Sequence, residues 1–341
     1  MQQGDGQGLV PLLARAAFEG SSESKPQGTR GGAGQQSTWG QRVGSAVLYC
    51  AASLLITLSN KIVLTSFDFP SAELLGLCQL AATVAVLTLG RLLKVVRVPP
   101  LSGAVLRVAW PLPCLFLANL LFGLAGTKSL SLPIFIALRR FTIVMTLLAE
   151  VVLLRTVPPA SVQLSVLVMT AGSLLAALSD LNATLAGAAF VMANNACSAV
   201  QGACVKRCLP HLGSIGVLFF NATVSLPAVL LLVLANSSAD KTGAASLHSV
   251  LMEFDGWSDW RFIGAFTISC MMGVALQMGA LLCVDHNSAL TASIMGSVKN
   301  VCVTYVGMFV GGDYLFTPAN FVGINVSVLG TLTYLWLTFR K

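Results

Sequence analysis

Apolar runs of about 20 residues recur along the chain, separated by short polar or charged gaps. A helix needs roughly 20 residues to cross about 30 Å of hydrocarbon. Runs of that length lie near 43–64, 71–90, 105–125, 133–154, 161–179, 185–205, 213–235, 262–284, 287–310 and 318–339. Pro111 and Pro113 interrupt the third, and only Asp285-His286-Asn287 parts the eighth from the ninth. Residues 1–41 break the pattern: they are rich in Gly, Gln and Ser and hold one short apolar patch. They are expected to form a disordered cytosolic tail, with no signal peptide and the first span acting as a signal-anchor.

The gaps alternate in charge. Arg42, then Arg91, Lys94, Arg97 and Arg107, then Arg155, Lys206 and Arg207, and finally Arg340 and Lys341 fall on one side of a ten-span topology. Asp68, Asp180, Asp240, Glu253, Asp255, Asp259 and Asp313 fall on the other. Basic loops stay in the cytosol, so both termini are predicted there. Ten spans divide into five plus five. An odd-numbered repeat inserts its second copy upside down, and such repeats place a site near mid-membrane. The expected fold is an all-α membrane protein with an inverted repeat: residues 42–180 form one half and 181–341 the other. Sequons at Asn182, Asn221, Asn236 and Asn325 give no secure glycosylation site, and those at Asn221 and Asn325 fall inside spans.

Composition agrees. Only 10% of the 341 residues are charged and 55% are apolar, against roughly a quarter charged in soluble domains. The net charge of +7 is scattered through the gaps, without the concentrated basic stripe that nucleic acid would need. The nine cysteines form no CxxC pair, so neither a zinc site nor a disulfide framework is expected. Most lie in or near apolar runs, with Cys208 in a short loop. His211, His248 and His286 sit at loops or span edges without a carboxylate cluster. No metal, cofactor or enzymatic centre is therefore expected.

The informative residues are the charges that lipid would not tolerate. A central Arg or Lys costs about 2.5 to 3.5 kcal/mol to insert, so it must face water, a partner or a ligand. Arg139 and Arg140 lie in the fourth span and Lys299-Asn300 in the middle of the ninth; Asn60-Lys61 ends the first. Neighbouring helical residues point about 100° apart, so one arginine is expected to bind and the other to pack or pair, with Glu150 as a candidate partner. Lys61 either snorkels to the interface or serves a site. The acidic residues Glu73, Glu150, Asp285 and Asp313 lie away from span centres. Deep positive charge without deep negative charge suits an anionic cargo, phosphate above all. Asn119, Asn194, Asn195 and Ser297 supply polar groups for a cavity. Phe219 and Phe220, beside Asn221, either pack in the core or stack on a base.

Several stretches carry a resemblance: FPS at 69–71, PLP at 111–113, TKSLSLPIF at 127–135, LRRFTI at 138–143, FFN at 219–221, NSALT at 287–291, GSVKN at 296–300 and GGDYLFTPANFVG at 311–323. Over residues 43–339 the chain resembles nucleotide-sugar transporters of the drug/metabolite transporter superfamily. It is most similar to those carrying UDP-glucuronic acid, UDP-N-acetylglucosamine and UDP-N-acetylgalactosamine. The resemblance implies exchange of a cytosolic UDP-sugar for lumenal UMP across Golgi or endoplasmic reticulum membrane. It implies phosphate contacts from Lys299 and Arg139 or Arg140, base contacts from Phe219, Phe220 and Asn221, and ribose or sugar contacts from Asn119, Asn194, Asn195 and Ser297. Asn300, and Lys61 of the matching Asn60-Lys61 pair, are counted by the same resemblance among the substrate-binding residues. Phe220 stands where the family usually has Tyr, Ala222 where GDP-mannose carriers have a second Asn, and Asn195 where close relatives carry Asp. A GDP-sugar cargo and a non-transporting membrane scaffold are the alternatives; a homodimer stays open.

Overall fold

A computed structural model describes residues 37–94, 103–130, 132–177, 184–239, 252, 254–298 and 318–340. The helices are α1 (Trp39–Lys61), α2 (Ala72–Leu92), α3 (Gly103–Ala109), α4 (Pro111–Ser129), α5 (Leu132–Arg139), α6 (Phe141–Leu153), α7 (Ala160–Ala177), α8 (Leu185–Ala239), α9 (Trp260–His286), α10 (Ala289–Val298) and α11 (Pro318–Phe339). Among the described residues no strand occurs. Among the described residues, six helical runs are long and apolar enough to cross a membrane, including Leu185–Ala235 and Trp39–Ser66. Most of the tail, Asn182, Lys299, Asn300 and Asp313 lie outside the described residues, while Asn236 falls in the last turn of α8.

Local chemistry sets the helix ends. Thr38 and Gln41 form a reciprocal capping box at the start of α1. Ser71 accepts from Leu74 N–H at 3.1 Å to start α2, with Glu73 in its positive first turn. Asp259 caps α9 through Arg261 N–H. Pro111 opens α4, where its missing N–H costs nothing; the two prolines thus split the third apolar run into α3 and α4.

The sixth and seventh runs depart from expectation. Helix continues past residue 205, and α8 turns only at Gly213, whose φ of 65° suits glycine. Cys208, expected in a loop, is helical and buried, because Leu209 and Leu212 beside it pack into the same apolar cluster. The fourth run is also interrupted: α5 stops at Arg139, Arg140 forms a turn, and α6 begins at Phe141.

Helices α7 and α11 meet backbone to backbone. A Cβ on Gly172 would lie 2.5 Å from Ser327 N and 2.7 Å from Gly323 O, and one on Gly330 would lie 2.7 Å from Met169 N. Ser173 and Ser327 hydroxyls bond across the seam at 2.9 Å. Small residues with an interhelical hydrogen bond are how helices associate when lipid removes the hydrophobic drive between them. Elsewhere α1 packs on α9 and α4 on α8. Outward faces carry exposed Leu55, Leu58, Val152, Leu164, Leu231, Ile268, Leu329 and Leu332, a surface that lipid can solvate.

The two ends of the bundle differ. At one, Phe67, Phe69, Phe254, Trp257, Phe262 and Phe266 pack largely edge to face; the Phe254 and Phe262 centroids are 5.0 Å apart. At the other, polar groups secure helix ends. Lys206 Nζ donates to the carbonyls of Val284, Asp285 and Asn287 at 2.6, 2.7 and 3.0 Å, ending α9. Glu150, nearly buried, accepts Leu290 N–H at 2.7 Å, starting α10. Asn287 donates to Arg42 O, and Ser214 to Asp285. The break between α9 and α10 is therefore clamped from α1, α6 and α8.

Candidate functional site

A cavity of about 460 Å³ lies between α1, α4, the α5–α6 turn, both arms of α8, α9 and α10. Its wall reaches the helix ends of the polar side: Leu112 is the second residue of α4, Val284 lies one turn from the end of α9, and Ala289 begins α10. Arg139, Arg140, Asn221 and Ser297, four of the expected site residues, line it. Among the described residues that line it none is acidic.

The polar groups are not equally occupied. Arg139 Nη1 donates to the side-chain oxygen of Asn194, and its guanidinium lies 6.0 Å from the Phe135 ring centroid. Arg140 Nη1 and Asn221 Oδ1 are buried and have no hydrogen-bond partner among the described residues. A buried donor and a buried acceptor without partners each cost free energy, and a charged donor costs most. Both residues line the cavity, with these two atoms closed off from solvent, so a side-chain rotation would bring them to a ligand there. Glu150, a candidate partner for the arginines, spends its carboxylate on the start of α10 instead.

Other expected residues stand behind the wall. Asn194 and Asn195 are buried between helices: Asn194 bonds Arg139 and Asn119, and Asn195 bonds Leu138 O and the Thr142 hydroxyl. Asn119 also accepts from Ser198 at 3.0 Å. Phe219 and Phe220 are buried in the apolar cluster with Leu209, Leu212 and Met295, and Val217, Leu218 and Asn221 line the cavity in their place. The 100° step per helical residue explains this: the face holding 217, 218 and 221 leaves 219 and 220 pointing elsewhere. Lys61 sits exposed at the end of α1, away from the lining.

Polar lining residues that were not singled out from sequence include Tyr49, Ser53, Ser198, Gln201 and Gln277. Tyr49 and Ser53 are four apart, and Ser198 and Gln201 three apart, so a polar stripe at helical spacing was the available signal. Gly296 leaves room for Tyr49, whose hydroxyl would lie 2.8 Å from a Cβ there.

The Triose-phosphate Transporter family matches over residues 44–335. The UDP-sugar transporter UST74c of Drosophila melanogaster is 44% identical over 88% of this chain and 79% of its own length. The chain belongs to the nucleotide-sugar transporters of this family. The UDP-sugar transporter sqv-7 of Caenorhabditis elegans is 40% identical, covering 90% of this chain and 92% of its own. The human nucleotide sugar transporter SLC35D2 is 38% identical over 94% of each. A solved crystal structure agrees in fold at a TM-score of 0.59 and 15% identity, covering 87% of this chain and 98% of that one. This transporter is thus a multi-pass membrane carrier by family, not an enzyme, and its arginine-lined cavity stands where helices of both sequence halves meet.

Proposed function

We propose that the chain is an antiporter that moves a cytosolic UDP-sugar into the Golgi or endoplasmic reticulum lumen in exchange for UMP. UDP-glucuronic acid, UDP-N-acetylglucosamine and UDP-N-acetylgalactosamine are the cargo class. One observation carries this: among the described residues the cavity is lined by two guanidiniums and no carboxylate, and it holds an unpartnered Arg140 donor and Asn221 acceptor. Guanidinium suits phosphate, and an amide beside it suits a base edge. A volume of about 460 Å³ falls in the range of small-molecule pockets. The relatives' names supply uridine rather than another base.

The phosphates would meet Arg140 and Lys299, the base Asn221, and the sugar Ser297 and Asn300. In the sequence, Lys299 and Asn300 follow the lining residue Ser297 by two and three positions. The helix pairing supports an inverted five-plus-five repeat of ten spans. If the halves 42–180 and 181–341 are equivalent, then α1 with α9 mirrors the first arm of α8 with α4, and α7 pairs with its own counterpart α11. With both termini in the cytosol, the cavity reaches the cytosolic side and the aromatic end closes the lumenal side. An empty cavity would reorient slowly, because enclosing unpaired cations is costly, and that favours exchange over leak.

Purified protein in liposomes preloaded with UMP is expected to take up labelled UDP-sugar saturably, with UMP competing better than GMP or CMP. Preference for GMP would move the cargo to GDP-sugars. Absence of saturable exchange would leave the scaffold alternative.

A further inference from the structure

The two adjacent arginines are held differently, and the difference traces to two buried asparagines on another helix. The fourth apolar run changes hydrogen bonding at Arg140, where Ile143 N–H closes a tight turn onto Arg140 O at 3.1 Å. Asn195, with none of its surface exposed, spans this interruption. Its amide nitrogen donates to Leu138 O at 2.8 Å, before the turn. Its amide oxygen accepts the Thr142 hydroxyl at 2.7 Å, after the turn. Only a group that donates and accepts at once can bridge both sides, as a carboxamide does and an ionised carboxylate or a methyl does not.

Asn194, the next residue, acts on the first arginine. Its oxygen takes Arg139 Nη1, while its nitrogen donates to both oxygens of Asn119 on α4. Gly123 keeps this junction tight, since a Cβ there would lie 3.0 Å from the Asn194 nitrogen. Arg139 is thereby tied to α4 and α8. Arg140 lies one residue on, about 100° around the helix, and its buried Nη1 meets no partner among the described residues.

We infer that Asn194 and Asn195 are positioning residues that tie off Arg139 and hold the Leu138–Thr142 turn so that Arg140 is the guanidinium offered to the ligand's phosphate. This rests on the nucleotide-sugar reading of the cavity. The asparagines touch no ligand in this scheme; Asn194 fixes where one guanidinium points, and Asn195 holds the turn that carries the other.

The test compares UMP with uridine as competitors of UDP-sugar uptake into UMP-loaded liposomes, alongside thermal melts in detergent. The ratio of the two affinities isolates the phosphate contact, because general loosening of the fold weakens both ligands together. Arg140→Gln is expected to weaken UMP by about tenfold or more with uridine little changed, so the ratio collapses. Arg139→Gln is expected to lower the melting temperature and leave the ratio near wild type. Asn194→Ala should lower melting similarly, and the double variant should add little to either single change. Asn195→Leu should collapse the ratio as Arg140→Gln does. If that variant does not fold, Thr142→Val removes one of the two bridging bonds and should reduce the ratio, while Thr142→Ser keeps the hydroxyl and should preserve it.

A larger fall in the ratio from Arg139→Gln than from Arg140→Gln overturns the assignment. So does an unchanged ratio in Asn195→Leu, or in Thr142→Val where the former does not fold. If wild-type exchange responds to neither competitor, the nucleotide reading itself falls and this inference with it. A wild-type preference for UMP that survives Arg140→Gln overturns the inference alone.

Discussion

Adding one methyl group at Gly172 should cost stability without touching the cavity. A Cβ there would sit 2.5 Å from Ser327 N, 2.7 Å from Gly323 O and 3.0 Å from Val326 C. These are backbone atoms of α11, so no rotamer change relieves the clash. Ordinary carbon contacts begin near 3.5 Å, so α7 and α11 must part by about 1 Å. Parting them stretches the 2.9 Å Ser173–Ser327 bond and loosens the contact of Thr331 with Met169. Overpacking of this kind costs about 1–3 kcal/mol, and an interhelical hydrogen bond in a membrane is worth roughly 0.6 kcal/mol. A loss of about 2 kcal/mol is therefore expected for Gly172→Ala, and more for Gly172→Leu. The assay is thermal unfolding of detergent-purified protein, followed by UMP titration of each variant below its melting point. No residue of α7 or α11 lines the cavity, so affinity should stay within about twofold of wild type. A melting temperature indistinguishable from wild type in Gly172→Leu would show that the helices do not meet as described.

Two further outcomes follow from the polar end of the bundle. Glu150→Ala should destabilise by about 1–3 kcal/mol, because Leu290 N–H at the start of α10 loses its acceptor; Glu150→Gln, which keeps an acceptor, should lose less by the same melt. Gly213→Val should destabilise by about 1–3 kcal/mol, since φ of 65° with ψ of 168° is a backbone region that only glycine adopts readily, and Gly213→Ala should lose a similar amount. Melting of either variant at the wild-type temperature would contradict the positive-φ turn in α8.

Sequence periodicity and charge were enough to find the apolar helices, the membrane as solvent and the arginines that lipid would not tolerate. Those signals are local: a 20-residue apolar run or a buried guanidinium carries its cost wherever it sits. The presence of Arg139, Arg140, Asn221 and Ser297 in one cavity wall agrees with that logic. The rest depended on what faces what. Asn194 and Asn195 look like ligand-binding amides in sequence, yet their partners are Arg139, Asn119, Leu138 and Thr142, from helices more than 50 residues away. Phe219 and Phe220 neighbour a lining asparagine but point into the apolar core, because rotation about a helix is set by packing. Glu150 had an adjacent arginine pair as its apparent match and caps α10 instead. The chain thus dictates by itself which groups cannot face lipid. Only the tertiary structure decides which of them are satisfied by one another and which remain for a ligand, since hydrogen bonding depends on distances of a few ångströms between helices remote in sequence.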